Sequence, residues 1–342
     1  MPAHRRVAGL LLVLAVVTAC ASTTPRNSPP SVQPAQPADS PPVSGPPAGV
    51  VHPLSGRPQA AIFDRRTAAL AVLVPGANPA APPNLAVLSG GQPSPRIIAL
   101  PGPASALAGD DAGTAYLSTR GGYFAVDLSD GHLARVGVDE APNTAFTAIT
   151  RRGDAAIVLG AGDGTVYLLA PGAAPARTKT DFAVDVLSTQ GNTVVALDRA
   201  QTSLTTIGAD GKVGQTLRAG LGATTMAADP AGRVLVVDTR GGELLVYGLD
   251  ARASALILRQ AYPVRQAPYG LAGSKRLVWV SQTAANRVIG YDLSTGIPVE
   301  KVRYPTVRQP NTLAVDEISD TLYVVSGCGA GVQVIEHAAG RR

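Results

Sequence analysis

The chain has 342 residues, 45% hydrophobic and 15% charged, with 37 Gly, 29 Pro, and 29 Lys and Arg against 24 Asp and Glu. That length supports one large domain with a substantial core. A formal charge of +5 is too small for a nucleic-acid-binding surface, so no nucleic-acid partner is expected.

The chain opens "MPAHRRVAGLLLVLAVVTAC", with His4, Arg5 and Arg6 ahead of an apolar run from Val7 to Val17. This is the pattern of an export signal. The run is about a dozen residues, short of the roughly 20 that a spanning helix needs. The small residues Thr18 and Ala19 just before Cys20 resemble the lipobox of bacterial lipoproteins. The resemblance implies that residues 1–20 are the signal peptide and that Cys20 carries the lipid, a palmitate-type anchor in the cell membrane, on its extracytoplasmic face. Removing Arg5 and Arg6 lowers the formal charge to +3, and Cys328 then has no cysteine to pair with.

From Ala21 to Gly49, nine of 29 residues are proline. Such a segment lacks the apolar surface to fold, and its prolines keep it extended at about 3 Å per residue. Residues 21–48 are therefore expected to be a disordered tether with a reach of up to roughly 90 Å.

Short β-rich runs recur along the rest of the chain, each closed by Gly, Asp or Ser. The clearest strand of each unit reads "ALAVLV" (69–74), "TAYLST" (114–119), "AAIVLG" (155–160), "TVVALD" (193–198), "RVLVVD" (233–238), "RLVWVS" (276–281) and "TLYVVS" (321–326). A shorter, small-residue strand precedes it, as in "QAAIFD" (59–64), "TTMAAD" (224–229) and "NTLAVD" (311–316), and a third follows, as in "ELLVYG" (243–248) and "RVIGYD" (287–292). The residues closing the first strands are Asp64, Gly109, Thr150, Ser188, Asp229, Gly273 and Asp316, spaced by 45, 41, 38, 41, 44 and 43. A period near 40 with four antiparallel strands per unit predicts an all-β, seven-bladed β-propeller. The last unit lacks a fourth strand after "GVQVIE", and "GVVHP" (49–53) is placed to supply it, closing the ring. The propeller is thus expected over 49–337, with 338–342 a disordered tail, and the whole as a monomer.

The stretches "ATTMAADPAGRVLVVDTRGGELLVYGLD" and "PNTLAVDEISDTLYVVSG" resemble the YVTN/NHL class of propeller repeats. With the lipobox and the proline segment, the chain resembles the propeller lipoproteins of actinobacteria. It does not resemble WD40 repeats, because Trp279 is the sole Trp and no Trp-Asp pair is present.

The ligand face of a propeller is usually built from the loops between second and third strands and those between blades. "TRGG" occurs at 119–122 and again at 239–242, so Arg120 and Arg240 fall at the same turn in the second and fifth blades. Glycine permits the tight turn; the arginines are not needed for it. The inter-blade stretches "GRPQA", "VRQAPYG" and "VRQPNT" place Arg57, Arg265 and Arg308 in three neighbouring blades, with Gln266, Tyr269, Gln309 and Asn311 beside them. Guanidinium forks suit carboxylate or phosphate oxygens, so this rim predicts an anionic or polar ligand. The alternative is that these side chains fill the gaps between blade tops and pair with Asp139, Glu140 or Asp238. Cys328 falls at the turn position of Arg120 and Arg240; arginine neighbours would make it a reactive thiol, apolar ones a small buried filler.

Enzyme signals are few. His52, His132 and His337 have no metal-pair spacing, GxSxG is missing, and of the inner-strand residues only Asp185 stands out as ionisable. "DLSTG" at 292–296 resembles a quinoprotein docking motif, but Glu300 stands where that motif has Trp. No catalytic residue, metal or cofactor is expected. The sequence reads as a non-catalytic envelope binding or scaffolding module for a protein, glycan or small anionic molecule, with a propeller hydrolase or lactonase as the alternative.

Overall fold

The computed structural model describes residues 31–78, 81–90, 92 and 94–340. The period resolves into seven four-stranded antiparallel sheets arranged in a ring, a seven-bladed propeller. Blades 1 to 6 span residues 60–99, 107–137, 146–179, 186–218, 223–263 and 268–305. Blade 7 takes its three inner strands from 310–335 and its outer strand from the other end of the chain, where Val50–His52 pairs antiparallel with Val332–Ile335.

Every second strand has a neighbouring blade on each side, which is why it reads as an unbroken apolar run rather than an alternation. In blade 5, Val234 and Val236 pack with Val195 and Leu197 of blade 4, while Leu235 and Val237 pack with Val278 and Val280 of blade 6. Alternate side chains point to opposite faces, so one strand serves two interfaces. The seven core clusters repeat this arrangement around the ring. First strands carry small residues such as Ala148 and Ala223 because they converge on the central channel. Outer strands are solvent-facing and carry charge or proline, as in "VGQTLR" and "VEKVRYP", which discourages pairing with another sheet.

Five of the seven second strands begin and end where the sequence places them. The other two start two residues late, at Ile157 and Val278. Ala155 has φ +68 and its N–H bonds the Arg152 carbonyl, so the expected first strand residues belong to a turn. In blade 6 the Ser274 hydroxyl donates to the Leu277 carbonyl at 2.7 Å and holds a turn in the same place.

The C-terminal end of the propeller is tied more tightly than expected. Ala338 is buried, its N–H bonds the Asp320 carbonyl, and Arg276 donates to the carbonyls of Ala339 and Gly340. Residues 338–340 are therefore a packed extension of blade 7 and depart from the expected disordered tail; 341–342 lie outside the described residues.

Burial pushes the phenols of Tyr247, Tyr291 and Tyr323 up to about 12, reinforced by the nearby carboxylates of Asp238, Glu300 and Asp316 respectively. A phenol whose folded pKa lies above its unfolded value of about 10 contributes stability that is complete below pH 10 and lost as pH rises towards 12. Alkaline titration should therefore show cooperative loss of β-sheet circular dichroism in that window, together with late-rising tyrosinate absorbance. Ionisation of every tyrosine near pH 10 with the sheet signal intact would contradict this.

Candidate functional site

In five of the seven blades the residue that ends the second strand fixes the inter-blade loop preceding that blade. The Thr119 hydroxyl donates to the Pro103 carbonyl at 2.6 Å, Gln282 Nε2 to the Arg265 carbonyl at 2.8 Å, and the Ser326 hydroxyl to the Arg308 carbonyl at 2.7 Å. Blades 4 and 5 use carboxylates instead. Asp198 accepts the Ala183 N–H at 2.8 Å, and the fully buried Asp238 accepts those of Leu221 at 2.6 Å and Gly222 at 2.8 Å. In these five blades a polar residue at the strand end thus holds the loop that enters the upper face, whereas blades 1 and 3 end their second strands in Val74 and Ala161.

That face surrounds the channel mouth, a cavity of about 750 Å³. Arg57, Tyr269 and Asn311 line it, as the rim reading requires, and so do Asp185 and Arg199. Asp185 accepts the Arg199 backbone N–H at 2.8 Å, and Arg199 Nε donates to the Thr224 carbonyl at 2.8 Å. Leu187, Met226, Leu271 and Leu313 supply the apolar wall below. Arg199 follows Asp198 as Thr239 follows Asp238, so superposing blades 4 and 5 was the signal available for it in the sequence.

The remaining rim residues divide into two groups. Arg265 and Gln266 are exposed on the blade 6 loop and do not line the cavity. Arg308 and Gln309 are turned onto the chain's own residues: Arg308 Nε donates to the Ser40 carbonyl at 3.1 Å, and Gln309, buried, exchanges hydrogen bonds with Ser40 and donates to the Ala38 carbonyl at 2.9 Å. Arg120 and Arg240 both lie between the second and third strands of their blades, but the turns differ: Thr119 pairs with Gly122 across a two-residue loop, whereas Asp238 pairs with Glu243 across a four-residue one. The glycines there adopt left-handed backbone at Gly121 (φ +72) and Gly242 (φ +69). Arg120 donates to the Asn143 carbonyl at 3.0 Å; Arg240 donates to the Leu221 carbonyl at 3.1 Å and the Gln33 carbonyl at 2.6 Å. Among the described residues none of Arg57, Arg120, Arg240, Arg265 and Arg308 pairs with a carboxylate, and Asp238 is occupied by backbone N–H groups. Cys328 is exposed rather than a buried filler, with its sulfur 3.4 Å from the Ser326 hydroxyl.

The partners of Arg240, Arg308 and Gln309 correct the expected tether. The segment from Val32 to Ala48 is bonded to blades 4, 5, 6 and 7: Val32 and Ala48 donate their N–H groups to the Ala200 and Pro305 carbonyls, while Arg240, Asn286 and Gln309 donate to the carbonyls of Gln33, Pro41 and Ala38. Cys20 itself and residues 21–30 lie outside the described residues. Among the described residues no three His, Cys, Asp or Glu side chains gather as a metal-holding group. His52 is on the outer strand of blade 7, His132 in a turn of blade 2 and His337 near the chain end.

No protein-family model matches the chain, and no curated protein matches it. Solved structures do match in fold. A streptogramin B lyase superposes with a TM-score of 0.66 at 12% identity over 84% of this chain and 96% of its own. A catalytically inactive His-to-Ala variant of virginiamycin B lyase from Staphylococcus aureus, with quinupristin, gives 0.67 at 11% identity, covering 83% and 97%. Kuenenia stuttgartiensis hydrazine synthase gives 0.65 at 14% identity, covering 84% and 98%. At these identities the likeness is one of fold.

Proposed function

We propose that the protein is a lipid-anchored, non-catalytic binding module on the extracytoplasmic face of the cell membrane, taking a small anionic ligand at the channel mouth. The observation that carries this reading is the mouth's polar set: the guanidinium groups of Arg57 and Arg199 against the single carboxylate of Asp185, with Tyr269 and Asn311 as hydrogen-bonding neighbours. Two forked donors above an apolar wall suit a carboxylate or phosphate group on a compact organic body. The lyase fold neighbours keep a propeller lyase or hydrolase as the second reading. Against it, the S. aureus lyase is inactive with one histidine changed to alanine, and His52, His132 and His337 all lie away from this channel.

Thermal-shift titration of the mature chain against small carboxylates and phosphate monoesters tests the proposal. A saturable stabilisation is expected, with affinity lowered about tenfold, roughly 1.4 kcal/mol, by Arg57→Ala or Arg199→Ala. Turnover of an ester or lactone that disappears in Asp185→Asn would favour the enzyme instead. The anchor is checked separately: labelled palmitate should enter the wild-type protein and not Cys20→Ser, and the variant should leave the membrane fraction.

A further inference from the structure

Residues 33–41 form a second feature of the upper face. The stretch "QPAQPADSP" crosses it from the Arg240 turn of blade 5 to the blade 7 loop, and midway Gln36 and Pro37 become part of the wall of the channel cavity. Four propeller side chains donate to its carbonyls: Arg240 to Gln33, Gln309 to Ala38, Arg308 to Ser40, and Asn286 to Pro41 at 2.8 Å. Proline has no N–H, so an extended proline-rich peptide offers carbonyls almost alone, and a row of side-chain donors is the surface that recognises it. Restricted backbone freedom also lowers the entropy lost on docking.

Ser40 locks the arrangement. It is 3% exposed, its hydroxyl donates to the Thr283 carbonyl at 2.6 Å and accepts the Gln309 N–H at 3.1 Å, and its own N–H reaches Gln309 Oε1 at 3.0 Å. Asp39, next to it, is exposed. A single residue inserted into a polar slot, with solvent-facing residues on one side, is the geometry of a latch.

We propose that the upper face carries a binding groove for an extended, proline-rich peptide, that residues 33–41 occupy it in cis, and that this strap closes the channel mouth until it is released. The gating role builds on the channel mouth as a ligand site, but access to the channel is measurable without any ligand. The docked strap explains why Arg308 and Gln309 contact the chain itself, and it makes Gln36 a residue that a channel ligand must displace or touch.

Two measurements on the mature full-length chain test the proposal. Amide hydrogen exchange at Ser40 should be protected in the wild type and accelerate about tenfold or more in Gln309→Ala. In a Cys328→Ser background, a thiol placed in the channel by Thr225→Cys should react at least about fivefold faster with an anionic methanethiosulfonate reagent when the same latch is broken. Ser40→Gly breaks the latch from the strap side and leaves every propeller residue in place, so it decides the question where Gln309→Ala fails to fold. Exchange at Ser40 at the intrinsic rate in the wild type would overturn the groove. Unchanged channel reactivity after release of the strap would overturn the gate. A gate that passes both tests in a protein that binds no carboxylate or phosphate would leave this inference standing and remove the ligand reading.

Discussion

Asp238→Ala is expected to destabilise the protein by about 3–5 kcal/mol, since hydrogen bonds to a charged group contribute roughly 1.5–3 kcal/mol each and the partly exposed donors recover part of that from water. The carboxylate is fully buried, and its two oxygens take three backbone N–H groups, Leu221 at 2.6 Å and Gly222 and Gly241 at 2.8 Å each. These bonds fasten the loop entering blade 5 and the "TRGG" turn to the same strand end, so the truncation strands all three donors at once. Asp238→Asn keeps the shape but presents an amide N–H₂ to at least one donor, and a smaller loss of about 2 kcal/mol is expected. Asp250→Ala, which removes an exposed turn-capping carboxylate bonded to Arg252 and Ala253 N–H groups, should cost about 1 kcal/mol or less. Urea unfolding of the three variants measures the order. A midpoint for Asp238→Ala indistinguishable from that of Asp250→Ala would show that water replaces the carboxylate and that the loop is held by packing alone.

The same residue shows what the sequence could and could not convey. "RVLVVD" ends in an aspartate that reads as a turn former or as a partner for rim arginines. Its role as a loop clamp depends on N–H groups 16 and 17 residues upstream that fall beside it only once the blade is built. The blades themselves were legible because each repeats a short, almost wholly buried second strand at a spacing near 40 residues: strands over 69–74, 114–119, 193–198, 233–238 and 321–326 coincide with the structure. The rim was legible in part. Arg57, Tyr269 and Asn311 reach the channel because loop position fixes their height. Whether a loop side chain turns inward depends on what already occupies the space, and Ser40 occupies it for Arg308 and Gln309. Composition alone assigned residues 32–48 to a free tether. A proline-rich segment has no core of its own to reveal, and its partners, Asn286, Thr283 and Gln309, lie more than 240 residues away in sequence.

Ring closure is the second place where a small change should have a large effect, and Gly49→Ala tests it. Gly49 precedes the outer strand Val50–His52 that completes blade 7, in register with Val332–Val334. Its φ is +73, a conformation that costs a residue with a Cβ about 1–2 kcal/mol. A Cβ there would lie 2.1 Å from the Val334 carbonyl oxygen and 3.2 Å from the Ile335 Cα. Both contacts are backbone of the strand it pairs with, so neither can move aside by changing rotamer. The approach is held from the other side as well, because the fully buried Gln333 donates to the carbonyls of Ala48 at 2.7 Å and Pro305 at 3.0 Å and accepts the Val307 N–H at 3.0 Å. Strain and clash together should cost at least about 3 kcal/mol and drive Val50–His52 off the sheet. That exposes the unpaired edge of Val332–Ile335, a template for pairing with a second molecule. Gly49→Ala should therefore unfold several degrees lower and form dimers or larger species on size-exclusion chromatography. Gly45→Ala is the matched control: a Cβ there meets nothing within 4 Å, and a change within about 0.5 kcal/mol is expected. If the two variants melt together and elute alike, the ring does not depend on its N-terminal strand, and the seventh blade is stable with three.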